Sequence, residues 1–147
     1  MVWFASAVPA VGLIPWISLV SAGAYFTAGA GLPGLAKPMA AGTLGIIFTA
    51  VALTVAGLLG ADQVGFALII SCLAFLIILC SAASPFSHVP SAFMAASCYV
   101  GANGSWGKSI TLIVFSWGVG LALAWVIDRL SQALIVASAP RPEAARS

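Results

Sequence analysis

Charged positions cut this chain into long apolar intervals. Residues 1–36, 38–61, 63–107 and 109–127 each lack an ionised side chain. A helix needs about 20 apolar residues, rising 1.5 Å each, to cross the hydrocarbon of a bilayer. By that measure the intervals hold roughly one, one, two and one crossings. The third needs a break, and Ser84-Pro85-Phe86-Ser87-His88-Val89-Pro90 supplies it.

The pattern predicts the following elements. Segment one, residues 3–30, is interrupted by Pro9 and Pro15 and so falls into two pieces. Its second piece, 16–30, is rich in Ser, Gly and Ala. Residues 31–38 (Gly-Leu-Pro-Gly-Leu-Ala-Lys-Pro) read as a turn with a proline opening the next helix. Segment two, 39–60, is a clean span, and Asp62 follows in a tight turn. Segment three, 63–83, is the most hydrophobic stretch and is expected to face lipid. Segment four, 89–101, is only thirteen residues long, which is short for a crossing. A Gly-rich loop at 102–108 leads to segment five, 109–127, which runs on into Asp128 and Arg129. The fold class expected is therefore all-α, a polytopic transmembrane bundle of five or six segments with two short or broken helices. Residues 1–130 form the membrane domain. Residues 131–147 form a helix end and a polar tail, expected to be disordered.

Composition strengthens this picture. Apolar residues make up 63% and charged residues 5%, against about 45–50% and 25% in soluble domains. Of the eight charges, five lie in the last twenty positions. A soluble fold of this size could not cover its apolar surface, whereas lipid tolerates it. The net charge of +2 and the absence of a basic run argue against nucleic acid. Cys72, Cys80 and Cys98 lie in apolar stretches without ligand spacing, so they read as small core residues and no metal is expected. Ala28-Gly29-Ala30 resembles a signal-peptide cleavage site. The start lacks a basic region and the apolar stretch is too long, so segment one is read as retained.

Basic residues set the expected orientation. If segment four crosses, Lys37, Arg129, Arg141 and Arg146 share one side and Lys108 takes the other. The C-terminus is then cytoplasmic. A weak internal similarity also emerges. Pro15, Tyr25 and Lys37 are echoed by Pro90, Tyr99 and Lys108, each set leading through a Gly-rich turn into a long apolar helix. Their spacings differ, so chance is one explanation and an inverted repeat the other. Inverted repeats are a common ground plan of transporters.

The chain offers little chemistry. It has one His, and no acid, base or metal constellation is visible, so neither enzyme activity nor a cofactor is expected. The lack of ionisable residues within the spans argues against ion coupling and favours a small neutral solute. The candidate pore-lining residues are Tyr25, Phe26, His88, Pro90, Phe93, Tyr99 and Asn103. Ordinary helix packing is the competing reading for the aromatic rings, and an interfacial side chain for His88. Ala41/Gly45/Thr49 and Ser116/Gly120/Ala124 recur every four residues. Such strips let helix backbones approach, within a chain or between subunits of a homo-oligomer. Trp3, Trp106 and Trp125 read as interface anchors. The bilayer is the main partner expected. Passive passage of a small uncharged or weakly polar solute is the preferred function, and a non-transporting membrane scaffold the alternative.

Two stretches also carry a resemblance. Trp16 through Tyr25-Phe26-Thr27-Ala28 to Gly34-Leu35-Ala36-Lys37 resembles a W…A-Y-F-A…G-L-K pattern. Val89-Pro90-Ser91-Ala92-Phe93, followed by Gly101, Trp106 and Lys108, resembles V-P-G-x-F…G…W-K. Both patterns are similar to the YcdZ-like family of small bacterial inner-membrane proteins (domain of unknown function 1097), over residues 3–130. The resemblance implies a multi-pass protein of the bacterial cytoplasmic membrane and supplies no activity. His88 and Ser91 depart from the family's Phe and Gly, so a role for either is not implied as a family property.

Overall fold

A computed structural model describes residues 12–138. Among them run five α-helices: α1 (Pro15–Thr27), α2 (Gly31–Leu58), α3 (Gln63–Cys80), α4 (Val89–Gly101) and α5 (Lys108–Ser138). A short 3-10 turn, Ser84–Phe86, joins α3 to α4. Three of the helices, α2, α3 and α5, are long and apolar enough to cross a membrane. The other two, α1 and α4, have 13 residues each. The expected all-helical membrane bundle with two short helices is what forms. Trp3, Pro9 and the tail beyond Ser138 lie outside the described residues.

Local chemistry explains most boundaries. Both short helices carry a proline in their first turn, where a missing N–H costs no bond. Asp62 caps α3 by accepting the Gly65 N–H at 2.8 Å. One boundary differs from the sequence reading. Residues 31–37 are not a turn but the opening of α2, and Pro38 lies inside the helix. The reversal is confined to Gly29, Ala30 and Gly31, all at positive φ. The Gly31 N–H, an orphan donor at the helix start, is taken up by the Tyr25 hydroxyl at 2.8 Å. At the other end of the chain, α5 runs on through Asp128 and Arg129, as the sequence reading has it, and reaches Ser138. Asp128 is held there by side chains rather than marking a helix end.

Contacts fix the directions of the helices. Ile14 and Tyr25 meet Ser116 and Asp128, so α1 runs parallel to α5. Gly45 lies against Ala92, and Thr54 meets Trp106 just beyond α4, so α4 runs parallel to α2. Pro38 and Gly42 meet Trp117, while Gly31 lies near Asp128 through the Tyr25 hydroxyl. The long helices α2 and α5 are therefore antiparallel. It follows that α1 and α4 also point in opposite directions. One end of the bundle holds Lys37, Asp128 and Arg129, and the other holds Asp62 and the start of α5 at Lys108.

This is an inverted repeat, built more regularly than the sequence shows. The buried positions of α1 are Ile17, Ser18, Ser21, Ala22, Ala24 and Tyr25. Those of α4 are Ser91, Ala92, Ala95, Ala96, Cys98 and Tyr99, the same pattern moved by 74 positions (Tyr25 to Tyr99). The helices also end alike. Ala28 N–H bonds Ala24 and Ala30 N–H bonds Tyr25; Ala102 N–H bonds Cys98 and Gly104 N–H bonds Tyr99. Each long helix then packs through a glycine on the other repeat's short helix. A side chain at Gly45 would strike the backbone of Ala92, and one at Gly120 the backbone of Ser18. Those glycines belong to the two small-residue strips, related by 75 positions (Gly45 to Gly120). The strips thus serve contacts within the chain.

Candidate functional site

Gly42 and Trp117 are themselves related by 75 positions, and they touch. Two equivalent residues can meet only on the axis that relates the repeats, so this contact marks the pseudo-two-fold. Trp117 is fully buried, and its indole N–H donates to the Pro38 carbonyl at 3.0 Å. Both short helices start beside this crossing. Ile14, just ahead of α1, bonds Ser116, and α4 begins level with Gly42 because Ala92 lies on Gly45. From there α1 runs to one end of the bundle and α4 to the other. The Trp16 ring covers Gly101, so the two short helices also touch each other.

The buried polar side chains among the described residues gather on these elements: Ser18, Ser21, Thr49, Ser91 and Ser116. Each is bonded. Ser18 donates to the Ser116 carbonyl at 3.0 Å, Ser21 to the Ser18 carbonyl and Thr49 to the Gly45 carbonyl. The Ser116 hydroxyl accepts the Ile14 N–H at 3.0 Å. Ser91 Oγ is hydrogen-bonded to His88 Nδ1 at 2.6 Å. A hydroxyl has one donor and two acceptor sites, so each keeps capacity beyond the bond it makes. Between them lie the rings and branched chains of Ile17, Ile46, Trp117 and Leu121, which fill the crossing.

The residues singled out from sequence are spread through this frame. Tyr25 and Tyr99 are both buried but occupy opposite ends, each ring against a glycine (Gly34 and Gly104). Phe26 stands edge-on to Tyr25 and is exposed on the outer surface. Phe93 is exposed in a crevice between α3 and α4 lined by Ile70, Leu73 and Ile77. His88 and Pro90 form the entry to α4, near the crossing. Asn103 occupies a left-handed conformation (φ 48°) that ends α4, a place where Asn is tolerated. The structure therefore brings His88 near the centre, sets the two tyrosines apart and turns Phe26 and Phe93 outward.

Three residues that fasten the bundle were not among the candidates. Asp128 accepts the Tyr25 hydroxyl at 2.7 Å and the Gln132 amide at 2.9 Å. Ser116 ties the start of α1, and Trp117 fills the axis. Nothing marked Trp117; Ser116 carried a signal in its four-residue strip, and Asp128 carried one as the first acid after Asp62 in the chain. Its partner, 103 positions away, is invisible to any local pattern.

The chain belongs to the DUF1097 family. The model of that family, described as a protein of unknown function, matches residues 1–132, which takes in α1 to α4 and most of α5. No curated protein and no solved structure matches the chain.

Proposed function

We propose that this protein gives a small uncharged or weakly polar solute a passive path across a bacterial cytoplasmic membrane. One observation carries the reading: two half-length helices, related by inversion, start beside a common crossing and leave it for opposite ends. Transport folds place their sites at such junctions, because only there can polar backbone and hydroxyls be reached from both faces. The five hydroxyls near the crossing provide hydrogen-bonding capacity without charge, which suits a neutral solute selected by width. No covalent step and no cofactor enters this reading. The C-terminus is assigned to the cytoplasm, because α5 leaves the bundle at the end that holds Lys37 and Arg129, with Arg141 and Arg146 following in sequence.

The test is equilibration of urea, small amides and polyols into liposomes containing the purified protein. Faster equilibration than in empty liposomes for at least one solute is expected. A second reading, a membrane scaffold for a partner complex, is favoured by the crossing itself, which Trp117 fills. No difference from empty liposomes across the panel selects that reading. Orientation has its own test: a phosphatase fused after Ser147 should be inactive in the periplasmic assay, and activity there would reverse the assignment.

A further inference from the structure

The repeats share a backbone plan but are fastened differently. On one side α1 is hydrogen-bonded to α5 near both of its ends. Ile14 N–H meets Ser116 Oγ and Ser18 Oγ meets the Ser116 carbonyl, both at 3.0 Å. Eleven residues on from Ile14, Tyr25 Oη donates to Asp128 Oδ2 at 2.7 Å and accepts the Gly31 N–H at 2.8 Å. On the other side the equivalent positions cannot bond. Ala41 stands in the place of Ser116, Ala92 in that of Ser18, and Leu53 in that of Asp128. Among the described residues α4 makes no side-chain hydrogen bond to α2, and Tyr99 has no carboxylate partner. What ties that end is the bond from the Trp106 indole to Thr54, made by the loop after α4 and exposed.

These two kinds of contact respond differently to movement. A hydrogen bond to a carboxylate is directional and stronger than a neutral one, and the tyrosine that donates this one is fully buried. Van der Waals contact between small residues, as at Gly45 and Ala92, survives a slide of one helix along the other. We propose that the two half-length helices are unequal: α1 is latched to α5 through Tyr25 and Asp128, while α4 is the half that moves, and the end holding Tyr99 and Trp106 is the end that opens. That opening admits solute rests on the transport reading above; the difference in mobility does not.

Hydrogen exchange of the full chain in lipid nanodiscs reads the mobility directly. Amides of 92–99 in α4 are expected to exchange faster than those of 18–25 in α1. Tyr25→Phe should speed exchange in α1 towards the α4 rate, whereas Tyr99→Phe should leave α4 unchanged. Leu53→Asp gives Tyr99 the carboxylate it lacks and should slow exchange in α4. The same variant should slow solute entry into liposomes. Equal exchange in the two helices, or faster exchange in α1, overturns the proposal. So does a Tyr25→Phe variant whose α1 exchanges like the parent's, a result that stands even if Leu53→Asp does not fold. If the parent passes no solute but α4 still exchanges faster, the transport reading fails and the unequal fastening remains.

Discussion

The α1/α5 pair and the α4/α2 pair are two versions of one contact. In each, a thirteen-residue helix lies parallel on a long one, a glycine of the long helix admits the short helix's backbone, and a tyrosine closes the outer end. They differ in polarity: the first pair is held by hydroxyls and a carboxylate, the second by apolar contact. Backbone shape is thus the conserved half of the duplication, because lipid offers no hydrophobic drive between helices and close packing must supply it. Hydrogen bonds are the free half. Each can be added or lost on one side without changing the frame.

The largest effect should come from attacking what the two sides share. A side chain at Gly45 meets the Ala92 carbonyl, and one at Gly120 meets the backbone of Ser18. Gly45→Leu and Gly120→Leu should each cost about 3 kcal/mol or more, as over-packing does when the obstacle is backbone. Size-exclusion and thermal melting in detergent should show little folded protein in either case. At Gly118 a new Cβ would lie 3.5 Å from the tip of Met39, an ordinary contact with a flexible chain. Gly118→Ala should therefore melt like the parent. If Gly45→Leu folds normally while Gly120→Leu does not, the equivalence of the two sides is wrong.

That prediction also shows what sequence could and could not supply. The strips containing Gly45 and Gly120 were legible from their spacing, because small residues every four positions have one dominant use in lipid. The short helices were legible from Pro15, Pro90 and the charge-free intervals. The repeat was only half legible. Lys37 and Lys108 mark different places in the two copies, since α2 begins before Lys37 and α5 begins at Lys108. The pattern that does match, six buried positions on each short helix, consists mostly of Ala and Ser with few identities between copies. Trp117 and Asp128 were hidden for a different reason. Their partners, Pro38 and Tyr25, are 79 and 103 positions away and meet them only through tertiary packing, across antiparallel helices for Trp117 and parallel ones for Asp128.

A smaller effect should sharpen the polar difference. Ser116→Ala removes the acceptor of the Ile14 N–H while leaving the backbone carbonyl that Ser18 uses. The loss should be about 0.6 kcal/mol, the average for such bonds between helices in a membrane. Ser97→Ala on α4 should cost nothing measurable, because its hydroxyl bonds only the Phe93 carbonyl of its own helix and is exposed. Comparing both melts with the parent checks it. Equal losses would mean that the hydroxyls of the α1 side do not fasten it.

The smallest effect concerns the outer face of α1. A Cβ at Gly23 would meet nothing within 4 Å, and Leu19 and Phe26 beside it are exposed. Glycine within a helix costs roughly 0.5–1 kcal/mol relative to alanine. In a single chain surrounded by lipid, Gly23→Ala should therefore leave the melting temperature unchanged or raise it slightly. The equivalent residue on α4 is Ser97, also exposed, so the short helices present matching outer faces. Gly57 in α2, whose Cβ would likewise meet nothing, serves as the control for helix propensity alone. If Gly57→Ala melts at or above the parent while Gly23→Ala melts clearly below it, the α1 face is not covered by lipid in the assembled protein. Another polypeptide then lies against it closely enough for one methyl group to matter. Repeating the pair of melts after dilution in detergent would separate the cases, since a contact between two copies weakens on dilution and a contact within one chain does not.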